Sequence, residues 1–311
     1  MDLFGEAVDA LSDETHDEES LSVRALAMGL QGYFMAWLGL SDRGYALSFE
    51  SAKNLEQLER PLDLAKVLDG LSLNAYYLSH LEDGERAMRR IHEIASEYND
   101  DWLLAYSLFL WSLIEIRKQN LSEARQHANA SLKLYEEIGD TFSSAWPLLS
   151  LGGVSLANEA YEEAAAYYSR ALRISEKFGG RWLMENASKY LGMISLSMNE
   201  IEEAEYYLKK SLVIAQEIGL GREKANLLYE FATLRAHQNR REQAVELLSL
   251  VLTLPESSFA RIEGGSIQDK CLVMLAKLEN ELSQNAYSAA VKNGQDLELD
   301  EVIIILTHPS S

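Results

Sequence analysis

The sequence predicts an all-α solenoid of about six helical hairpins, stacked in series and closed by a C-terminal helical cap. Three observations predict it. A spacing of 40 residues links Gly32, Ser72, Ser112, Gly152, Gly192 and Ala232. A second column with the same spacing, Gly44, Gly84, Ala124, Ala164, Ala204 and Ala244, is also small in every copy. A third, Asn99, Gly139, Gly179 and Gly219, holds residues that tolerate a left-handed backbone. A fixed period of this size marks a stacked repeat array. In such arrays each repeat touches only its neighbours, so 311 residues need not divide into two globular domains.

One repeat, residues 141–180, shows the elements in order. Thr141 is positioned to cap a first helix carrying Phe142, Leu148, Leu149, Leu151 and Leu156 at helical spacings. Asn158 and Glu159 interrupt it. A second helix is expected from Tyr161 to Phe178, with Ala164, Tyr168, Ala171, Leu172 and Ile174 on one side. Glu162 and Glu163 sit in its first turn, where the helix dipole favours anions. Gly179 then ends it, because glycine adopts positive φ without a Cβ penalty. The phrases return one period later: Leu151-Gly152 as Leu191-Gly192, and Tyr161-Glu-Glu-Ala164 as Ile201-Glu-Glu-Ala204. Arg241-Glu-Gln-Ala244 starts a further second helix. A small residue where two helices cross lets their backbones approach; a leucine there would push the hairpin apart. The aromatic column Trp102, Phe142 and Trp182 reads as packing between repeats rather than a cofactor-stacking box.

The ends are less regular. Leu3, Phe4, Ala7, Val8 and Leu11 form one apolar face in the register of a second helix, so residues 1–20 read as a partial repeat or leading helix. That face expects a partner, which favours a piece of a longer chain over a lone capping helix. Six repeats then fill residues 21–257, and residues 258–311 form the cap. Ser257, Ser258, Gly264 and Gly265 suggest a loosened connection. One helix is expected from Ile267 to Lys292, and Val302 to Leu306 as a short terminal helix turned onto the cap.

The pattern of a small residue, twelve positions on Ala, four on Tyr or Leu and three on Ala or Ser (Gly152, Ala164, Tyr168, Ala171) resembles the tetratricopeptide repeat. The usual repeat is about 34 residues, so both helices here are longer. HEAT and armadillo repeats have this length, but the Leu-Gly and Glu-Glu-Ala phrases favour the tetratricopeptide reading. The long variant is similar to the C-terminal sensor arrays of large bacterial ATP-dependent transcriptional activators, the maltose-activator and SARP-like regulators. The stretches Asn285 to Gly294 and Leu297 to Val302 are similar to the ending of such arrays, with Val291 and Lys292 where that family often has Trp. The resemblance implies a right-handed α-solenoid and a regulatory fragment that senses a ligand and binds protein. A free-standing adaptor that scaffolds protein assembly is the alternative.

Composition limits the function classes. Net charge is −21, which opposes DNA, RNA and anionic membranes, since nucleic-acid affinity rests on basic groups at phosphates. The clusters Arg86, Arg89, Arg90 and Arg235, Arg240, Arg241 read as solvated helix faces. Cys271 is the single cysteine and lies in an apolar helical stretch, so it reads as a buried thiol and no intrachain disulfide forms. No apolar run reaches membrane-spanning length and no signal peptide opens the chain, so a soluble cytoplasmic protein is expected. There is no phosphate-binding loop, His-Glu-x-x-His, cysteine pair or nucleophile elbow. The six histidines are scattered. The repeated Glu pairs recur in copy after copy, whereas a catalytic dyad appears once. No catalytic residue, metal ligand or cofactor is therefore expected.

Binding is expected on the first helices, which line the groove in tetratricopeptide arrays. Counting along them gives Tyr33, Tyr76, Tyr106, Phe109, Trp146, Leu149, Lys189, Met193, Asn226 and Tyr229. The Lys and Asn clamp that chaperone-type arrays use on a peptide carboxylate is missing: the corresponding positions hold Leu149 and Gly153, or Lys189 and Met193. The expected partner is a protein or peptide, or a small-molecule effector, with no direct nucleic-acid contact.

Overall fold

The computed structural model describes residues 17–255 and 266–307. The apolar N-terminal face from Leu3 to Leu11 and the connection Ser257, Ser258, Gly264 and Gly265 lie outside the described residues. Among those described there are fifteen helices and no strand. Six hairpins come first: α1 (Glu18–Trp37) with α2 (Ser41–Gln57), α3 (Pro61–Leu78) with α4 (Leu81–Tyr98), and α5 (Asp101–Arg117) with α6 (Leu121–Glu137). Then follow α7 (Ala145–Ala157) with α8 (Tyr161–Phe178), α9 (Arg181–Ser197) with α10 (Ile201–Glu217), and α11 (Gly221–His237) with α12 (Arg241–Thr253). The cap is α13 (Ile267–Glu281), α14 (Gln284–Gln295) and α15 (Leu299–Thr307). The chain divides into two compact units, residues 1–150 and 151–311. Leu55, Met88, Ile91 and Ile94 centre the core of the first. Leu208, Leu228, Phe231 and Leu248 centre that of the second, with Cys271 fully buried among them.

The beat of the fold is half the period read from the small columns. Positive φ occurs at residues 39, 59, 79, 99, 119, 139, 159, 179, 199, 219 and 239, and seven of the eleven are not glycine. At each, the next residue's N–H returns to the carbonyl five positions back, as from His80 to Ala75 (2.9 Å) and from Glu200 to Ser195 (2.8 Å). This is the Schellman closure, which satisfies carbonyls that the helix end leaves open. Every second helix of a hairpin therefore starts at the same phase, from Ser41 through Arg241.

The small columns act at the hairpin crossings. A Cβ on Gly192 would stand 2.8 Å from the Leu208 side chain, and one on Gly152 would stand 2.7 Å from the Tyr168 ring. A Cβ on Gly32 would stand 2.7 Å from the carbonyl oxygen of Gly44 in the first hairpin. Each of these three column glycines thus faces a residue of its own hairpin's second helix, whereas Gly70 faces Tyr33 and Ser48 of the preceding hairpin.

Three local expectations need correction. Thr141 does not cap α7. Asp140 accepts from the Ser143 N–H at 3.0 Å, residues 141–144 form turns, and the helix begins at Ala145. The delay puts Pro147 in the first turn, where its missing N–H has no intrahelical partner to lose. The single helix expected from Ile267 to Lys292 is two helices, broken where Ser283 caps α14 by accepting from Ala286 N–H at 3.3 Å. The terminal helix α15 lies against α10 rather than turning onto the cap helices. Its Val302, Ile303 and Leu306 are buried. In the cap, Gly294 lets α14 cross α12 closely, since a Cβ there would stand 2.8 Å from the Glu246 Cα.

Gly192→Leu should overpack its crossing and cost roughly 1–3 kcal/mol in chemical denaturation, and an unchanged midpoint would show that the column is small for another reason. Glu159 holds φ at +57° and is exposed. Glu159→Gly should stabilise by about 0.5–1 kcal/mol, the left-handed penalty exceeding the added entropy of the unfolded chain. A lower melting temperature would contradict this.

Candidate binding surface

The first helices of the first unit carry a run of rings. Trp102 stacks on Tyr106 at 5.2 Å and 16°, Tyr106 meets Phe109 at 5.9 Å, and Phe109 meets Trp146 at 5.5 Å. The Tyr106 hydroxyl donates to Asp69 Oδ2 at 3.1 Å, joining α5 to α3. Tyr33 on α1 lies within the field of the same carboxylate. Burial lifts the Asp69 carboxyl to about 7, with the Tyr106 hydrogen bond working the other way. Burial and Asp69 together lift the Tyr33 phenol to about 12. Tyr76 lies half-buried under the Arg117 guanidinium, 4.5 Å from its ring centre. Trp102, 43% exposed, packs between repeats: it meets the Tyr135 ring and donates its indole N–H to Asp140 Oδ2 at 3.0 Å, across one repeat.

The ten candidate residues separate by burial. Tyr33, Tyr76, Tyr106, Trp146, Met193, Asn226 and Tyr229 keep part of their surface in solvent. Phe109 and Leu149 belong to the core, and Lys189 is buried as an ion. Longer helices bring more of each first helix between neighbours, which is why three of the ten turn inward.

In the second unit the polar candidates serve one another. Lys189 Nζ meets Glu223 Oε2 at 2.6 Å, and Asn226 donates to the same oxygen at 3.3 Å. Glu185, fully buried on α9, accepts from Ser211 at 2.9 Å through one oxygen, while its Oε2 has no hydrogen-bond partner among the described residues. Burial raises Glu185 to about 7 against the opposing pull of Lys189. Burial also raises Glu230 to about 7. A cleft of about 470 Å³ opens beside this network, lined by Leu156, Tyr161, Met193, Leu196, Glu230 and His237 among others.

Asp69, Glu185, Glu223 and Glu230 escaped the count along the first helices. A signal was present: Asp69 stands in the same 40-residue column as Phe109, Leu149, Lys189 and Tyr229. Arg86 pairs with Asp83, Arg89 with Glu85 at 2.5 Å and Arg241 with Glu281 at 2.7 Å, but Arg235 corrects the reading of its cluster as a solvated face: it is buried and lies 3.6 Å from Glu205 Oε1. No helix among the described residues is long and apolar enough to cross a membrane.

Solved structures share this architecture. A Rap protein complexed with competence and sporulation factor matches with a TM-score of 0.68 and 13% identity, over 98% of this chain and 81% of that one. The fold is of the tetratricopeptide type. The apo form of RapI matches with a TM-score of 0.61 and 15% identity, over 86% and 89% of the two chains. A signal transduction ATPase with a tetratricopeptide repeat sensor, from Pyrococcus horikoshii, matches with a TM-score of 0.57 and 17% identity. The match spans 97% of this chain but only 45% of that ATPase. No protein-family model and no curated protein sequence matches the chain.

Asp69 gives a test of the first-unit geometry. Its folded pKa lies above the ordinary value of 3.8. The unfolded carboxyl therefore ionises first, and stability falls as pH rises from about 4 to about 7. Asp69→Asn removes that loss, so its melting temperature relative to the parent should rise across this window. A difference independent of pH would mean that the carboxyl is not desolvated.

Proposed function

We propose that the chain is a non-catalytic interaction array that binds a protein or peptide segment on the first-helix face of its first unit. The ring run from Trp102 through Tyr106 to Trp146 carries this reading. It offers planar apolar surface with a hydrogen-bonding carboxylate, Asp69, at its edge. Aromatic anchors give large contact area at low entropic cost, which is why they dominate binding hot spots. The scattered histidines and repeated glutamate pairs supply no single catalytic cluster. The Rap protein solved with competence and sporulation factor is a precedent for a ligand on this fold. A small-molecule effector on the same rings is the variant of this reading.

In the fuller reading the array is the sensor segment of a larger bacterial transcriptional activator acting in the cytoplasm. The ATPase that carries a tetratricopeptide sensor supports it, as does the ending from Asn285 to Val302. DNA binding and ATP hydrolysis then belong to other segments. A free-standing adaptor is the alternative, and the reading frame upstream of Met1 separates the two: an in-frame ATPase and helix-turn-helix domain favour the activator, a stop codon the adaptor.

Binding is tested by selecting ligands from a random heptapeptide display library on the full chain. Tyr106→Ala and Trp146→Ala should each weaken a selected peptide about ten-fold or more, with folding checked by thermal melting. A library that yields no binder, or binders indifferent to both substitutions, would falsify the proposal.

A further inference from the structure

We propose that the cleft in the second unit receives a basic side chain, Lys or Arg, from a bound peptide or protein segment. The cationic head would meet Glu230, and the stem and flanking residues would lie on Leu156, Tyr161, Met193 and Leu196. The inference rests on the peptide-binding reading above but places a second, chemically distinct subsite.

The cleft is built at the C-terminal ends of α7, α9 and α11. Half of its lining is apolar, and two carboxylates, Glu159 and Glu230, line it beside His237. Among the described residues Glu230 accepts no hydrogen bond and joins no ion pair; Lys270 and Lys189 act on it only through the field. Lys189 is already committed to Glu223 at 2.6 Å. The local network thus sets three carboxylates, Glu185, Glu223 and Glu230, against one buried ammonium. The orphaned Oε2 of Glu185 records the same imbalance. Buried carboxylates are costly unless a counter-charge or hydrogen bond compensates them. At Glu230 only the fields of Lys270 and Lys189 offset that cost, and burial still outweighs them.

The geometry also selects the kind of cation. Among the described residues no three His, Cys, Asp or Glu side chains converge on one point, as a metal ion requires. An ammonium or guanidinium on an apolar stem fits better, because the cleft sets the carboxylates of Glu230 and Glu159 beside the apolar wall of Leu156, Met193 and Leu196. The net charge of −21 would steer such a partner towards the array.

The same heptapeptide selection tests the idea. Peptides that occupy the cleft should be enriched in Lys or Arg beside an apolar residue. Glu230→Gln should weaken a selected peptide about ten-fold, as should replacing that peptide's basic residue by norleucine. The two changes together should weaken it little further, as expected when both remove one interaction. Glu230→Gln keeps the side chain's shape and removes a desolvated charge, so its melting temperature should not fall. Selected peptides without basic residues, or equal affinity for parent and Glu230→Gln, overturn the inference. If such peptides still depend on Tyr106 and Trp146, the binding reading survives and only this subsite is lost. If nothing is selected, both fall.

Discussion

The rest of the structure depends on a left-handed turn repeated every twentieth residue. Each turn ends one helix by returning an N–H to a carbonyl five residues back, and so fixes both the length of the helix and the direction of the next. With lengths and exits fixed, residues 40 apart meet equivalent surroundings, and a small residue at one crossing implies a small residue at the next. The glycine contacts at Gly152 and Gly192 follow from that repetition, as does the alignment of the first-helix rings from Tyr33 to Trp146.

The turns also show how little of this constraint a sequence must declare. Gly139, Gly179 and Gly219 announce it, and Asn99 hints at it. Glu59, Gln119 and Glu159 adopt the same conformation without any compositional sign. The hydrogen bonds and packing on both sides over-determine the backbone there. The 40-residue columns were therefore legible, while the 20-residue beat beneath them was not. The α7 start was misplaced for a related reason. Asp140 and Thr141 are both competent caps, and the choice depends on Pro147 six residues further on.

The candidate surface was legible only in part. Aromatic residues stand out in a helical count, and Tyr106 and Trp146 do lie together through Phe109. Burial is set by neighbouring helices, so Phe109 and Leu149 turned inward without a local signal. The carboxylates were harder still. Asp69, Glu185 and Glu230 look like ordinary surface acids in a chain that has 49 of them. Only packing shows that their charges sit where water is scarce, and that Glu230 lines an open cleft.

The interchangeability of the turn residues has an evolutionary consequence. Because Gly, Asn, Gln, Glu and Ser all hold the same joint, no joint is chemically unique. Recombination between any two joints one period apart removes or adds a whole hairpin and leaves every remaining joint intact. Insertion of a single residue within a helix has no such neutrality, since it rotates everything beyond it by about a hundred degrees. Lineages of such arrays should therefore differ by whole hairpins far more often than by single-residue gaps, and the first-helix face can be lengthened without being redesigned.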